Sequence, residues 1–191
     1  MTEALSLVVG YLIGSIDFAV LAARLKGVDI YAEGSGNPGA SNVARVIGRG
    51  AGALVLVGDL LKGVAAAGFG ELVGGSELMG FAAGGMAVAG HCFPVWHRFK
   101  GGKGVATTVG VRLWTIPWLG LALAGIWAAI IGATRVSSFG SLTIVTLAIP
   151  GVWVWAEDTW SAAIMAATSF LVVVRHKDNI KRMVGSGEQT L

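Results

Sequence analysis

The sequence predicts an all-α fold, a polytopic membrane helix bundle of seven transmembrane helices with the N-terminus outside and the C-terminus cytoplasmic. Three observations lead there. Of the 191 residues, 54% are hydrophobic and only 13% charged, against roughly a quarter charged in an ordinary soluble domain. The apolar residues fall in runs whose lengths approach the roughly 20 residues that span a bilayer. Lys and Arg collect between alternate runs, as cytoplasmic loops do.

The first run, Leu5 to Ala23, follows MTEALS, which lacks the basic region of a cleavable signal, so it is expected to remain as a helix. The second and third are Ala51 to Gly70 and Leu78 to Phe93. Val105 to Leu119 and Leu121 to Ala133 flank Pro117 and read as two helices, one broken helix or a re-entrant hairpin. Phe139 to Ala156 and Trp160 to Val174 complete the set. The whole chain, 1–191, reads as one integral membrane domain. Glycines at small-xxx-small spacing, Gly10 with Gly14 and Gly80 with Gly84, read as places where helix backbones approach closely.

Seven spans put Arg24, Lys26, Arg45, Arg49, Arg98, Lys100, Lys103, Arg135, Arg175, Lys177, Lys181 and Arg182 on one side, leaving only Lys62 and Arg112 within spans. The opposite side holds Glu3, Glu71, Glu77, Glu157 and Asp158 and no base. Trp114, Trp118, Trp153, Trp155 and Trp160 gather near the outer boundary as an aromatic belt. Within spans, Asp59 and Lys62 stand at i, i+3 and are expected to pair, and both Asp17 and Asp59 are expected to pair with another helix.

Three basic or turn-rich loops carry chemistry. Glu33 to Arg49 reads EGSGNPGASNVARVIGR. Its Gly34, Gly36 and Gly39 match a dinucleotide fingerprint, but there is no βαβ context. What remains is a turn whose amides and small polar groups, Ser35, Asn37, Ser41 and Asn42, suit an anion, with Arg45 one helical turn on.

Gly90 to Thr107 reads GHCFPVWHRFKGGKGVAT. It is no P-loop, since Lys103 is followed by Gly104 and His97 stands where the first glycine belongs. Its physics still suits phosphate: Gly101, Gly102 and Gly104 admit close backbone approach, Lys100 and Lys103 carry charge, and a helix beginning near Val105 points its positive end at the same place. His91 and His97 have no carboxylate at ligand spacing and Cys92 is the only cysteine, so no metal is expected. His91 reads as a hydrogen-bonding group.

The third loop, RHKDNIKRMVGSGE from Arg175 to Glu188, repeats His176, Asn179 and Lys181 or Arg182 at helical spacing. A smaller element, RVSSFGS, sets Ser137, Ser138 and Ser141 at the start of a span.

Together GSGNPGASNVAR, GHCFPVWHRFKGGKGVAT and RHKDNIKR resemble, in order and spacing, the bacterial integral membrane acyl-phosphate:glycerol-3-phosphate acyltransferases, over nearly the whole chain. The resemblance implies transfer of a fatty acyl group from acyl phosphate to the 1-hydroxyl of glycerol 3-phosphate, the first acylation of phospholipid synthesis, giving lysophosphatidic acid and phosphate. It implies a site facing the cytoplasm in the bacterial inner membrane, with Ser35, Asn37, Arg45, His176 and Asn179 catalytic. Lys100, Gly101, Gly102, Lys103, Gly104 and Ser141 would bind phosphates. The implied partners are acyl phosphate, glycerol 3-phosphate and membrane lipid, with no cofactor and no nucleic acid, on a monomeric chain. Tyr31, Ser41 and Ser186 depart from the common Arg, Thr and Gly, which puts any role of Glu188 in question. The hydroxyl's base is left open between His176 and a substrate phosphate. The alternative, a carrier for phosphate or an organic phosphate, would call for internal repeats and charged or broken helices near the midplane; no repeat is visible, and a structural membrane scaffold would leave the three loops unexplained.

Overall fold

The computed structural model describes residues 1–155, 158–185, 187, 189 and 190, and among them the secondary structure is helical throughout. In chain order the helices are α1 (Thr2–Gly14), α2 (Phe18–Leu25), α3 (Ala40–Val46), α4 (Arg49–Gly74), α5 (Glu77–Cys92), α6 (Val105–Thr115), α7 (Pro117–Thr134), α8 (Ser137–Trp155), α9 (Thr159–Arg175) and α10 (Lys177–Val184), with a 3-10 turn at Val95–His97. The side chains of Trp153 and Trp155, together with Ala156, Glu157, Ser186 and Glu188, lie outside the described residues.

Each expected apolar run contains helix among the described residues, but the lengths differ from seven uniform spans. Among the described residues four stretches are long and apolar enough to cross a bilayer: Thr2–Leu25, Arg49–Gly74, Glu77–His97 and Pro117–Thr134. Ser137–Gly151 and Thr159–Arg175 are shorter apolar helices, and α6 has only 11 residues.

The first run breaks at Asp17. Its backbone is extended and its carboxylate accepts the Val20 N–H at 3.0 Å, so it caps α2. The expectation that Asp17 pairs with another helix is thereby corrected: a short carboxylate one turn below unsatisfied helix amides finds its partner locally. The region around Pro117 resolves into two helices. Pro117 occupies the first turn of α7, where its missing N–H costs no hydrogen bond.

α4 and α5 form the centre, with α1 and α6 packed on them. The approach is so close that a Cβ at Gly14 would lie 2.0 Å from the Ala87 carbonyl oxygen, and one at Gly63 2.2 Å from that of Thr107. Without a hydrophobic drive between helices in lipid, such backbone contact is a main source of association. Asp59 and Lys62 pair as expected at 2.9 Å, both buried, and Lys62 Nζ also donates to the Ile16 carbonyl at 2.7 Å. At the opposite end, Trp114 Nε1 donates to Glu71 Oε2 at 2.7 Å, while Trp118 and Trp160 are largely exposed.

Candidate functional site

A cavity of about 290 Å³ opens among α3, α4, α6, α7, α8 and α10. Its polar lining includes Ser35, Asn37, Arg45, Lys103, His176 and Asn179. Its apolar lining comes from Leu56 and Leu60 of α4, Val109 of α6, Ala124 and Trp127 of α7, and Ile144 of α8.

The polar lining comes from three segments of the sequence that meet only in the fold. In the first loop, Asn42 is the hub. Its buried Oδ1 accepts the Ser35 N–H at 2.8 Å and Arg45 Nη1 at 3.4 Å, while Nδ2 donates to the carbonyls of Glu33 at 3.0 Å and Ile30 at 3.3 Å. The turn over Asn42 needs Gly34, at φ +61°, because a Cβ there would lie 2.3 Å from Asn42 Oδ1. Arg45 Nε donates to the Thr190 carbonyl at 3.2 Å.

In the second loop, the Gly102 N–H donates to the His91 carbonyl at 3.1 Å. Arg175 braces the loop from beneath: Nη2 donates to Gly101 O at 2.7 Å and Nε to Gly102 O at 3.1 Å, with the guanidinium 5.3 Å from the Phe93 ring centroid. Tyr31 ties the first loop to the second by donating to Lys100 O at 2.8 Å. Burial, with the charge of Asp17, raises the Tyr31 phenol above its ordinary pKa, so it remains a donor at neutral pH. Gly104 takes φ +84° as the cap of α6, which begins at Val105 as expected. Thr108 is the first α6 residue to return its N–H to Gly104, so the amides of Val105, Ala106 and Thr107 precede the ladder, and Gly104, Val105 and Ala106 line the cavity.

The third element is the kink between α9 and α10. His176 caps α10, and its Nδ1–H donates to the Val172 carbonyl at 2.8 Å, which in the neutral ring leaves Nε2 as the acceptor nitrogen. Asn179, buried on α10, accepts a hydrogen bond from Lys103 Nζ through Oδ1. Ser141 Oγ donates to Ser137 O at 2.8 Å and accepts from Trp127 Nε1 at 3.3 Å, and Ser137 Oγ meets Ser41 Oγ at 2.7 Å. The serines thus link the first loop to α8 rather than merely capping it.

Ser35, Asn37, Arg45, Lys103, Gly104, Ser141, His176 and Asn179 therefore share one cavity. Gly101 and Gly102 are buried against His91, Pro94 and Arg175 and shape the loop without lining the cavity, and the Lys100 side chain is exposed. The sequence placed Asn42 only among the anion-suited groups of the first loop, not as its hub, and pointed to no site role for Tyr31, Arg175 or Trp127. Arg175 sits inside the third motif, but its bonds to Gly101 and Gly102 join residues more than 70 positions apart, and no local pattern encodes them. Among the described residues no group of three His, Cys, Asp or Glu side chains is placed to hold a metal.

A family model described as "Glycerol-3-phosphate acyltransferase" matches residues 4–186. Curated proteins of that description are similar along their length. That of Thermosipho melanesiensis is 40% identical over 188 residues, covering 96% of this chain and 90% of the relative. That of Myxococcus xanthus is 41% identical over 191 residues, with 99% of each covered. Among solved structures, the glycerol 3-phosphate form of PlsY (YgiH), an integral membrane glycerol 3-phosphate acyltransferase, superposes with a TM-score of 0.93 at 34% identity, covering 100% of this chain and 96% of that one. The lysophosphatidic acid form of that protein gives 0.90.

Proposed function

The chain belongs to the glycerol-3-phosphate acyltransferase family, and from that premise we propose that it transfers a fatty acyl group from acyl phosphate to the 1-hydroxyl of glycerol 3-phosphate, giving lysophosphatidic acid and inorganic phosphate. The observation that carries this reading is that one cavity is lined both by Ser35, Asn37, Arg45, Lys103, His176 and Asn179 and by apolar side chains of α4, α6, α7 and α8. That lining suits two phosphate-bearing anions held side by side, one of them carrying a hydrocarbon chain.

An acyl phosphate is a mixed anhydride with a good leaving group, so the site must mainly position and stabilise charge. Lys103, Gly104 and the amides opening α6 hold the phosphate of glycerol 3-phosphate. Arg45, Ser35 and Ser141 hold the acyl phosphate, and its chain lies between α4 and α7. His176, with Nε2 as acceptor, and Asn179 orient the hydroxyl. The hydroxyl oxygen attacks the acyl carbon, the new ester C–O bond forms, the bond to the phosphate oxygen breaks, and the departing phosphate takes the proton. Ser35 and Asn37 stabilise the oxyanion in between.

The same reading has the whole chain, 1–191, act as one monomeric domain crossing the inner membrane seven times. The N-terminus is outside and the site opens to the cytoplasm, where the basic loops lie. The test is phosphate release by purified protein in detergent. Release from palmitoyl phosphate is expected only when glycerol 3-phosphate is added. Release without it, or none, would overturn the assignment, and uptake by sealed vesicles would favour a carrier.

A further inference from the structure

Asp59 of α4 and His91 of α5 line the cavity yet have no part in the reaction as written above. Both are buried, at 3% and 6% exposure. His91 Nδ1 lies 3.5 Å from Asp59 Oδ1, the oxygen that also faces Lys62 Nζ at 2.9 Å. A carboxylate facing a ring nitrogen repels a lone pair there, so Nδ1 is the nitrogen that presents a proton to Asp59. The far side of the ring abuts the second loop. A Cβ at Gly102 would lie 2.3 Å from His91 Nε2 and 2.6 Å from the Pro38 carbonyl oxygen. The Gly102 N–H meanwhile donates to the His91 carbonyl at 3.1 Å. His91 therefore meets Gly102 with both backbone and ring, one residue before Lys103, at the point where the first loop arrives through Pro38.

Three ionisable side chains in a membrane bundle are costly to bury, and an apolar trio of similar volume would pack the helices as well. The cluster's placement against the loop gives it another use. We propose that Asp59 and His91 are positioning residues for glycerol 3-phosphate: Asp59, balanced by Lys62, orients the His91 ring, and the ring is the shelf that sets Gly102 and hence Lys103. This rests on the reading that the second loop holds that substrate's phosphate.

The test uses the full-length protein in lipid nanodiscs, with Asp59→Asn, His91→Ala, His91→Asn and the Asp59→Asn/His91→Ala double variant. Glycerol 3-phosphate and palmitoyl phosphate are varied separately, and hydrogen exchange is followed over residues 99–106. His91→Ala is expected to raise the KM for glycerol 3-phosphate about tenfold, leave that for palmitoyl phosphate within about twofold, and speed loop exchange. Asp59→Asn moves the same quantities less, His91→Asn loses nearly as much as His91→Ala because its short amide lacks the ring edge that meets Gly102, and the double variant is no worse than His91→Ala. Equal rises in both KM values, unchanged loop exchange, or additive effects would overturn the proposal. If His91→Ala fails to fold, Asp59→Asn and His91→Asn decide. Absence of glycerol-phosphate-dependent turnover in the unaltered protein would overturn the functional reading instead, and loop exchange would still decide whether Asp59 acts on the loop through His91.

Discussion

Lys103 Nζ donates to Oδ1 of Asn179, a residue 76 positions away, and so joins the glycine loop to the helix after the last apolar segment. The contact gives the lysine a fixed direction. A flexible ammonium on a four-carbon stem would otherwise sample many, at an entropic cost on binding.

Lys103→Ala removes a charged donor from the phosphate subsite. Hydrogen bonds to charged groups contribute about 1.5–3 kcal/mol, so a rise in KM for glycerol 3-phosphate of roughly tenfold to a hundredfold is expected. Steady-state kinetics check it, and a larger fall in kcat than rise in KM would mean the lysine acts on the transition state.

Gly101→Ala sets a Cβ 2.1 Å from the His91 carbonyl oxygen and 2.8 Å from that of Cys92, backbone atoms that cannot swing aside. Overpacking of this kind costs about 1–3 kcal/mol, here taken from the loop's geometry, so activity should drop at least tenfold with the protein still inserted. Gly75→Ala is the contrast. It also strains the backbone, at φ +80°, but meets nothing within 4 Å and lies at the far end of α4, so it should lower thermal stability by about 1 kcal/mol with kcat/KM unchanged.

Arg175→Lys keeps the charge and loses the fork that reaches both Gly101 and Gly102. If the fork matters, the lysine variant will lose nearly as much kcat/KM as Arg175→Ala; full activity would show that charge alone suffices.

Tyr31→Phe removes one neutral hydrogen bond, to Lys100 O. A loss of about 0.5–1.5 kcal/mol predicts a KM for glycerol 3-phosphate raised roughly twofold to tenfold. Because the phenol's pKa is raised in the fold, the bond is present below its ordinary range of about 10 and is lost only as pH climbs past the folded value. Below that range the ratio of variant to unaltered protein should not vary with pH.

Ala124→Phe places a larger side chain in the apolar lining of the cavity. Turnover measured with acyl phosphates of graded length should then favour the shorter chains, and an unchanged profile would place the acyl chain elsewhere.

Much of this protein was legible in the chain alone. Apolar runs, and cations confined to alternate gaps, specify a membrane bundle because lipid tolerates neither free backbone groups nor unpaired charge. The glycine-lysine loop, the start of α6 at Val105, and the sharing of one site by Ser35, Arg45, Lys103, His176 and Asn179 follow from local motifs and their resemblance to a family. What the sequence left open was decided by contacts between distant segments. Asp17 caps its own helix because the chain breaks there. Gly101 and Gly102 act from behind the cavity wall because Arg175 and His91 hold them there, and Asp59 faces His91 across two helices. Periodicity reports which face of a helix is apolar, but which buried polar groups meet depends on how closely the glycine-lined backbones approach, and only the packed bundle sets that distance.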